Sequence, residues 1–265
     1  MAVVALVAGG EARVALILGA SMTLLQFSIG ALNDVVDAGR DAGRDGKPIP
    51  TGLVPIRVAR GVVVVSAVLG LLLALAGGPG LVVVALAVLG IGAAYDLRAK
   101  GTTLSWLPLA VGVPLLPVYG WYGATGQLPG LFLVLVPAAA NAGAALAIAN
   151  AIVDVDADEA AGSGSVAVAL GPTRAALVVV VLQLVVAALA VATAAALGAP
   201  TGWVAAIVAV ASVPLGGALF GFLAVARLGR SSRELAWEIQ AVGTGLLAVA
   251  WISALSASVG TRPPG

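Results

Sequence analysis

The residues able to do chemistry are concentrated in two short stretches. The first runs Asn33-Asp34-Val35-Val36-Asp37-Ala38-Gly39-Arg40-Asp41 and continues through Arg44, Asp45 and Lys47 into Pro48-Ile49-Pro50-Thr51-Gly52. Asp34, Asp37 and Asp41 are three and then four residues apart, which on a helix puts all three carboxylates on one face. Like charges so placed repel, more strongly beside hydrocarbon than in water, and a cation between them is expected. The second stretch carries Asn150, Asp154 and Asp158 at four-residue steps, one face again if the helix continues, with Asp156 pointing elsewhere and Glu159 near the helix end. Hard oxygen donors suit Mg²⁺, which keeps several waters and is usually completed by substrate phosphates; two such clusters suit two Mg²⁺ ions and a phosphate or diphosphate ligand. Arg44, Lys47, Arg98, Lys100 and Arg174 are nearby cations that could neutralise the rest of the charge. Taken singly, each stretch also reads as a solvated loop after a helix. The matched spacing of the two, in an otherwise acid-poor chain, favours the metal reading.

The elements that must position these residues are membrane helices. Of 265 residues 61% are hydrophobic and only 9% charged, and the mean hydropathy is +1.14. Apolar runs near 20 residues recur, which indicates an all-α polytopic transmembrane bundle; continuous runs exclude the alternating pattern of a barrel. Full spans are expected at about 13–33, 53–76, 79–97, 104–124, 128–153, 173–197, 200–226 and 235–257, within one membrane domain over residues 1–265. Residues 1–10 are apolar but too short to span, and no basic residue precedes them, so they read as a partial first helix rather than a signal peptide. Pro108, Pro114 and Pro117 should kink the fourth span, and Pro214 with Gly216 and Gly217 should bend the seventh.

Charge sets the orientation. With these spans, Arg40, Arg44, Lys47, Arg57, Arg60, Arg98, Lys100, Arg174, Arg227, Arg230 and Arg233 fall on one side, and only Arg13 and Arg262 on the other. The positive-inside rule makes the crowded side cytoplasmic. Every acid except Glu11 is on that side too, and the rule makes no demand on acids. Carboxylates at the rim differ from the midplane acids expected of a transporter, although a transporter or a scaffold stays open as a non-enzymatic alternative. The chain has no Cys and no His, which excludes disulfides, thiolate or imidazole metal sites, thiol nucleophiles and His acid–base catalysis. No nucleic-acid partner is expected.

The same residues carry a family resemblance. Asn33-Asp34-x-x-Asp37-x-x-x-Asp41 followed by Lys47-Pro48-Ile49-Pro50-Thr51-Gly52 resembles the first signature of the UbiA-type intramembrane prenyltransferases. Asp154-x-x-x-Asp158 with the glycine- and serine-containing stretch Gly162 to Gly171 resembles the second, and Tyr95-Asp96-Leu97-Arg98-Ala99-Lys100-Gly101 resembles the tyrosine–lysine element between them. The resemblance covers roughly residues 13–258 and implies nine helices around a central cavity, with the aspartate motifs at its cytoplasmic mouth. It also implies transfer of a prenyl group from a prenyl diphosphate to an aromatic or lipid-like acceptor in the bilayer. Asn33, Asp34, Asp37 and Asp41 would hold one Mg²⁺; Asp154 and Asp158, with Asn150 beside them, would hold the other. Lys100 would pair with the diphosphate, with Arg44, Lys47 and Arg98 as further cations, and Tyr95 would lie near the reacting carbon. Polyprenyl-phosphate phosphoribosyl transfer and terpene cyclisation use similar aspartates and stay open. The first helix is reduced to about ten residues, Arg13 falls on the side away from the motifs, and Glu159 to Ser165 carries no basic residue; the acceptor is left unassigned.

Overall fold

The computed structural model describes residues 1–39, 47–227 and 229–260. Among them there is no strand. The helices are α1 (Ala2–Val7), α2 (Ala12–Asp37), α3 (Ile56–Ala74, extended by a 3₁₀ turn over Leu75–Gly77), α4 (Pro79–Ala94), α5 (Leu107–Thr125), α6 (Phe132–Val153), α7 (Val155–Ala160), α8 (Val166–Leu170), α9 (Pro172–Ala196), α10 (Thr201–Arg227) and α11 (Arg230–Gly260). Eight of these are long and apolar enough to cross a membrane, and each coincides with one expected span. Among the described residues the fold is all-α and polytopic, with eight helices of membrane-spanning length and composition and a short N-terminal helix.

The boundaries differ in an informative way. Helix α2 runs on from the expected end at 33 to Asp37, and α11 starts at Arg230 rather than 235. Hydropathy marks where the hydrocarbon stops, but backbone hydrogen bonding continues past that edge. Charged residues beyond the expected spans, Asp34 and Asp37 on α2 and Arg230, Arg233 and Glu234 on α11, therefore sit in terminal helical turns. Proline and glycine punctuate other ends. Gly171, at φ 76°, supplies the left-handed turn that closes α8, and Pro172 opens α9 with its backbone angle already helical. Pro214 and the three prolines near the start and middle of α5 lie within single helices.

Two compact units divide the chain: residues 1–99 with 115–128, and residues 100–114 with 129–265. In the first unit α2 packs along α3, and Leu18, Leu25, Leu81 and Tyr119 are fully buried. Ser21 lies at its centre, donating to the Gly70 carbonyl at 2.6 Å and sharing a 2.6 Å hydrogen bond with the Tyr119 hydroxyl. In a membrane the apolar effect does not drive helices together, so small side chains and interhelical hydrogen bonds of this kind hold the bundle. The second unit follows the same rule. Its core is Ala145, Ile148, Ala149, Ile152, Ala175, Ala176, Val179 and their neighbours from α6 and α9. Trp251 Nε1 donates to Thr193 Oγ1 at 2.9 Å, linking α11 to α9. Against α10 the approach of α11 is closer still. A Cβ on Gly243 would lie 2.7 Å from Pro214 Cδ and from its ring nitrogen, so only glycine fits.

Candidate functional site

The first aspartate motif occupies the C-terminal end of α2. Asn33, Asp34 and Asp37 all fall in its last two turns, where no basic residue offsets the negative end of the helix dipole. Repulsion between carboxylates and repulsion by the dipole both act against this arrangement. Asp37 is buried, at 6% exposure, while Asp34 is half-exposed with Lys47 Nζ 3.8 Å from its Oδ1. The Lys47-Pro48-Ile49-Pro50-Thr51-Gly52 tail forms a stitched turn. Thr51 Oγ1 donates to the Lys47 carbonyl at 2.7 Å, Thr51 N donates to the same oxygen at 3.2 Å, and Val54 N donates to Pro48 at 3.0 Å. Asp41 and Arg44, with Arg40 and Asp45, lie outside the described residues.

Asn33 has a definite partner. Its Nδ2 donates to Asp96 Oδ1 at 2.7 Å. Asp96 is 4% exposed and sits in Tyr95–Ala99, a single π-helical segment continuing α4. Such a widened turn displaces the following side chains relative to an α-helix, and π segments recur at functional sites. Asp96, unassigned from the sequence, thus ties the tyrosine–lysine element to the first aspartate motif. Tyr95 on the same segment is half-buried and Arg98 is exposed.

Lys100, half-buried, opens the second unit, and the connection it leads is joined to the second motif. Gly164 N donates to the Gly101 carbonyl at 3.1 Å, and Ser163 N to the Asp158 carbonyl at 2.8 Å. Ser163 Oγ reaches Gly101 O at 3.4 Å. Lys100 is therefore next to the loop that closes over Asp158. The second motif departs from the uninterrupted helix expected for it. Helix α6 ends at Val153, Asp154 adopts φ −100°, ψ 10°, and α7 begins at Val155. Asn150 and Asp158 consequently belong to different helices, so the three residues do not share one continuous face. Asp154 makes no capping bond with its side chain. Its Oδ1 instead accepts from Arg230 Nε at 3.1 Å and Nη2 at 2.9 Å.

Asp156 pairs with Arg233, whose Nη1 donates to its Oδ1 at 3.4 Å and whose Nη2 donates to its Oδ2. The hydrogen bond from Arg233 holds the Asp156 carboxyl below the usual carboxylate range. Arg233 reaches it from the interior: its side chain is 7% exposed and lines a small cavity with Ile152, Val179, Phe222 and Gln240. Neither arginine was among the candidate site residues. Both lie more than 70 positions from their partners in sequence, and only the placement of α11 reveals the pairing.

As donors, these side chains fit a hard divalent cation. They are carboxylates and a carboxamide, with no sulfur or imidazole competitor in the chain. Among the described residues no three carboxylates are grouped closely enough to hold a metal by themselves. Asn33, Asp34 and Asp37 lie at the C-terminal end of α2, and Asn150 and Asp154 at that of α6, where an added cation relieves repulsion by the helix dipole; Asp158 lies in the first turn of α7.

The UbiA prenyltransferase family model matches residues 1–240, and the chain belongs to that family. Solved structures agree at the level of fold. A UbiA homolog from Aeropyrum pernix K1 superposes with a TM-score of 0.74 at 21% identity, covering 98% of this chain and 95% of that one. A UbiA homolog from Archaeoglobus fulgidus, bound to GPP and Mg²⁺, gives 0.72 at 19% identity over 96% and 94% of the chains. A structure concerned with digeranylgeranylglyceryl phosphate synthase gives 0.72 at 12% identity over 96% and 91%. No curated protein matches.

Proposed function

We propose that this chain is a Mg²⁺-dependent prenyltransferase, moving a prenyl group from its diphosphate to an aromatic or lipid-like acceptor within the bilayer. The observation that carries this reading is the placement of acidic residues at the C-terminal ends of α2 and α6, which opposes both helix dipoles and is relieved by a bound cation. Family membership and the A. fulgidus homolog with GPP and Mg²⁺ support the same chemistry. In this reading Asn33, Asp34, Asp37 and Asp41 hold one Mg²⁺, and Asp154 and Asp158, with Asn150 beside them, hold the other. When bound, the metal ions supply electrostatic stabilisation of the departing diphosphate.

The chain's own residues do the rest. In the donor the allylic C–O bond breaks and its electron pair leaves with the diphosphate. The acceptor then supplies the pair for the new bond, and its proton passes to the released diphosphate. Lys100, Arg98, Lys47 and Arg44 balance the charge gathered on the leaving group, and no histidine is needed because departure requires no proton transfer. Tyr95 lies toward the reacting carbon. The apolar spans exclude water, which would otherwise capture the prenyl cation. With spans where the sequence expects them, the aspartate motifs and the tyrosine–lysine element would share one side of the membrane, which the positive-inside rule would make cytoplasmic.

The test is product analysis. Purified protein is given geranyl, farnesyl or geranylgeranyl diphosphate with Mg²⁺ and a mixed pool of small aromatics and lipid alcohols, and products are read by mass spectrometry. A prenylated acceptor is the expected result. A hydrocarbon product would replace transfer by cyclisation, and turnover only of polyprenyl phosphate with phosphoribosyl diphosphate would replace it by phosphoribosyl transfer.

A further inference from the structure

Two helix ends in the second unit each carry the charge that their own dipole disfavours. Asp154 follows the last residue of α6, at its negative end, while Arg230 and Arg233 stand in the first turn of α11, at its positive end. Arg230 pairs with Asp154, which is also the N-cap of α7, and Arg233 pairs with Asp156 in the first turn of α7, and the two pairs are built differently. Arg233 grips Asp156 with both terminal nitrogens on both oxygens and is anchored in the interior at 7% exposure. Arg230 is 62% exposed, and both of its donors converge on the single oxygen Oδ1 of Asp154, itself 49% exposed. A second acceptor waits on its own helix: Glu234 Oε2 is 3.9 Å from Arg230 Nη1. The inner pair has the form of a fixed fastening. The outer pair is solvent-accessible, engages half of the carboxylate and has somewhere else to go.

We propose that Arg230 is the resident counter-cation of Asp154, a positioning residue that holds the carboxylate when no metal is bound and surrenders it to the divalent cation. This rests on the reading of Asp154 as a metal ligand. Arg233 and Asp156 keep α11 fastened to the α6–α7 junction throughout, so the exchange requires only a side-chain swing of Arg230 toward Glu234. The arrangement keeps the carboxylate aimed and its charge balanced between binding events, and sets the metal affinity through competition.

The test is Mn²⁺ binding to the full-length protein in detergent, followed by electron paramagnetic resonance without any prenyl substrate. Arg230→Gln removes the competitor and is expected to tighten Mn²⁺ binding about two- to fivefold, the range that an exposed ion pair supports. Arg230→Lys keeps the charge and should bind close to wild type. Arg230→Met retains the side-chain stem and gives a second neutral variant with the same expectation as glutamine. Asp154→Asn is the reference and should bind one Mn²⁺ ion fewer. Unchanged or weaker binding in both neutral variants, with loss in Asp154→Asn, would overturn the competition while leaving Asp154 a ligand. Undiminished binding in Asp154→Asn would remove the metal from Asp154 and overturn both readings.

Discussion

At the scale of single residues, the carboxylates differ in what they touch, and their substitutions should differ accordingly. Asp34→Ala, Asp37→Ala and Asp154→Ala each remove a proposed metal ligand and should lower turnover by about 10²-fold or more while leaving the protein monodisperse on size exclusion. Asp96 acts one step away, through its 2.7 Å hydrogen bond from Asn33. Asp96→Ala should raise the Mg²⁺ concentration giving half-maximal activity by about tenfold, as the loss of a group orienting a ligand does, whereas a merely structural role would lower stability and leave that concentration unmoved. Asp156 has no part in the metal reading, and its effect is on stability. Because Arg233 lowers its folded pKa, the pair's contribution is complete above the ordinary carboxylate value near 4 and is lost as the pH falls through the lowered one. Asp156→Asn should lower Tm by about 1–2 °C at pH 7, a small shift because the carboxylate is exposed, and the gap should close as the pH is taken below about 4. A gap that widens in acid would contradict the sign.

At the scale of elements, spanning helices were legible because hydrocarbon imposes a length and a composition that few other segments share. The run expected at 173–197 is α9, Pro172–Ala196, and that at 79–97 is α4 with its π segment. The helix ends were harder to read. Charged residues such as Asp37 and Arg230 continue helices beyond the apolar run, so a hydropathy reading cuts them off. The connection from Asp154 to Gly171 was hardest, since α7 and α8 are six and five residues long and follow local capping rather than periodicity. The spacing of Asn150, Asp154 and Asp158 suits a continuous helix, and nothing local in the sequence marks the break at Asp154; the arginine that engages its carboxylate arrives from α11. Close packing gives a further expectation at this scale. Gly243→Val would force α11 away from Pro214 and should destabilise the second unit by about 1–3 kcal/mol, seen as a lower thermal midpoint in detergent; no shift would show that α10 and α11 are not held at that distance.

At the scale of the whole molecule, the family is legible in three motifs taken together and in their order, Asn33 to Gly52, Tyr95 to Gly101 and Asp154 to Gly171. The acceptor is not legible, because the motifs account for the metal and the diphosphate alone. Sidedness is open to a direct test, since the chain contains no cysteine. Single cysteines at Thr103 and Ala161 should react with an impermeant thiol reagent only from the cytoplasmic face, and those at Gln127 and Ala199 only from the opposite face. The claim on which the rest depends is metal-assisted departure of diphosphate, and its most direct measure is diphosphate release from geranylgeranyl diphosphate by the purified protein in the presence of the acceptor pool. The expected result is release that requires Mg²⁺, stops on chelation, and is absent in Asp34→Ala and Asp154→Ala. Release at the same rate in either variant, or with the metal chelated, would contradict it.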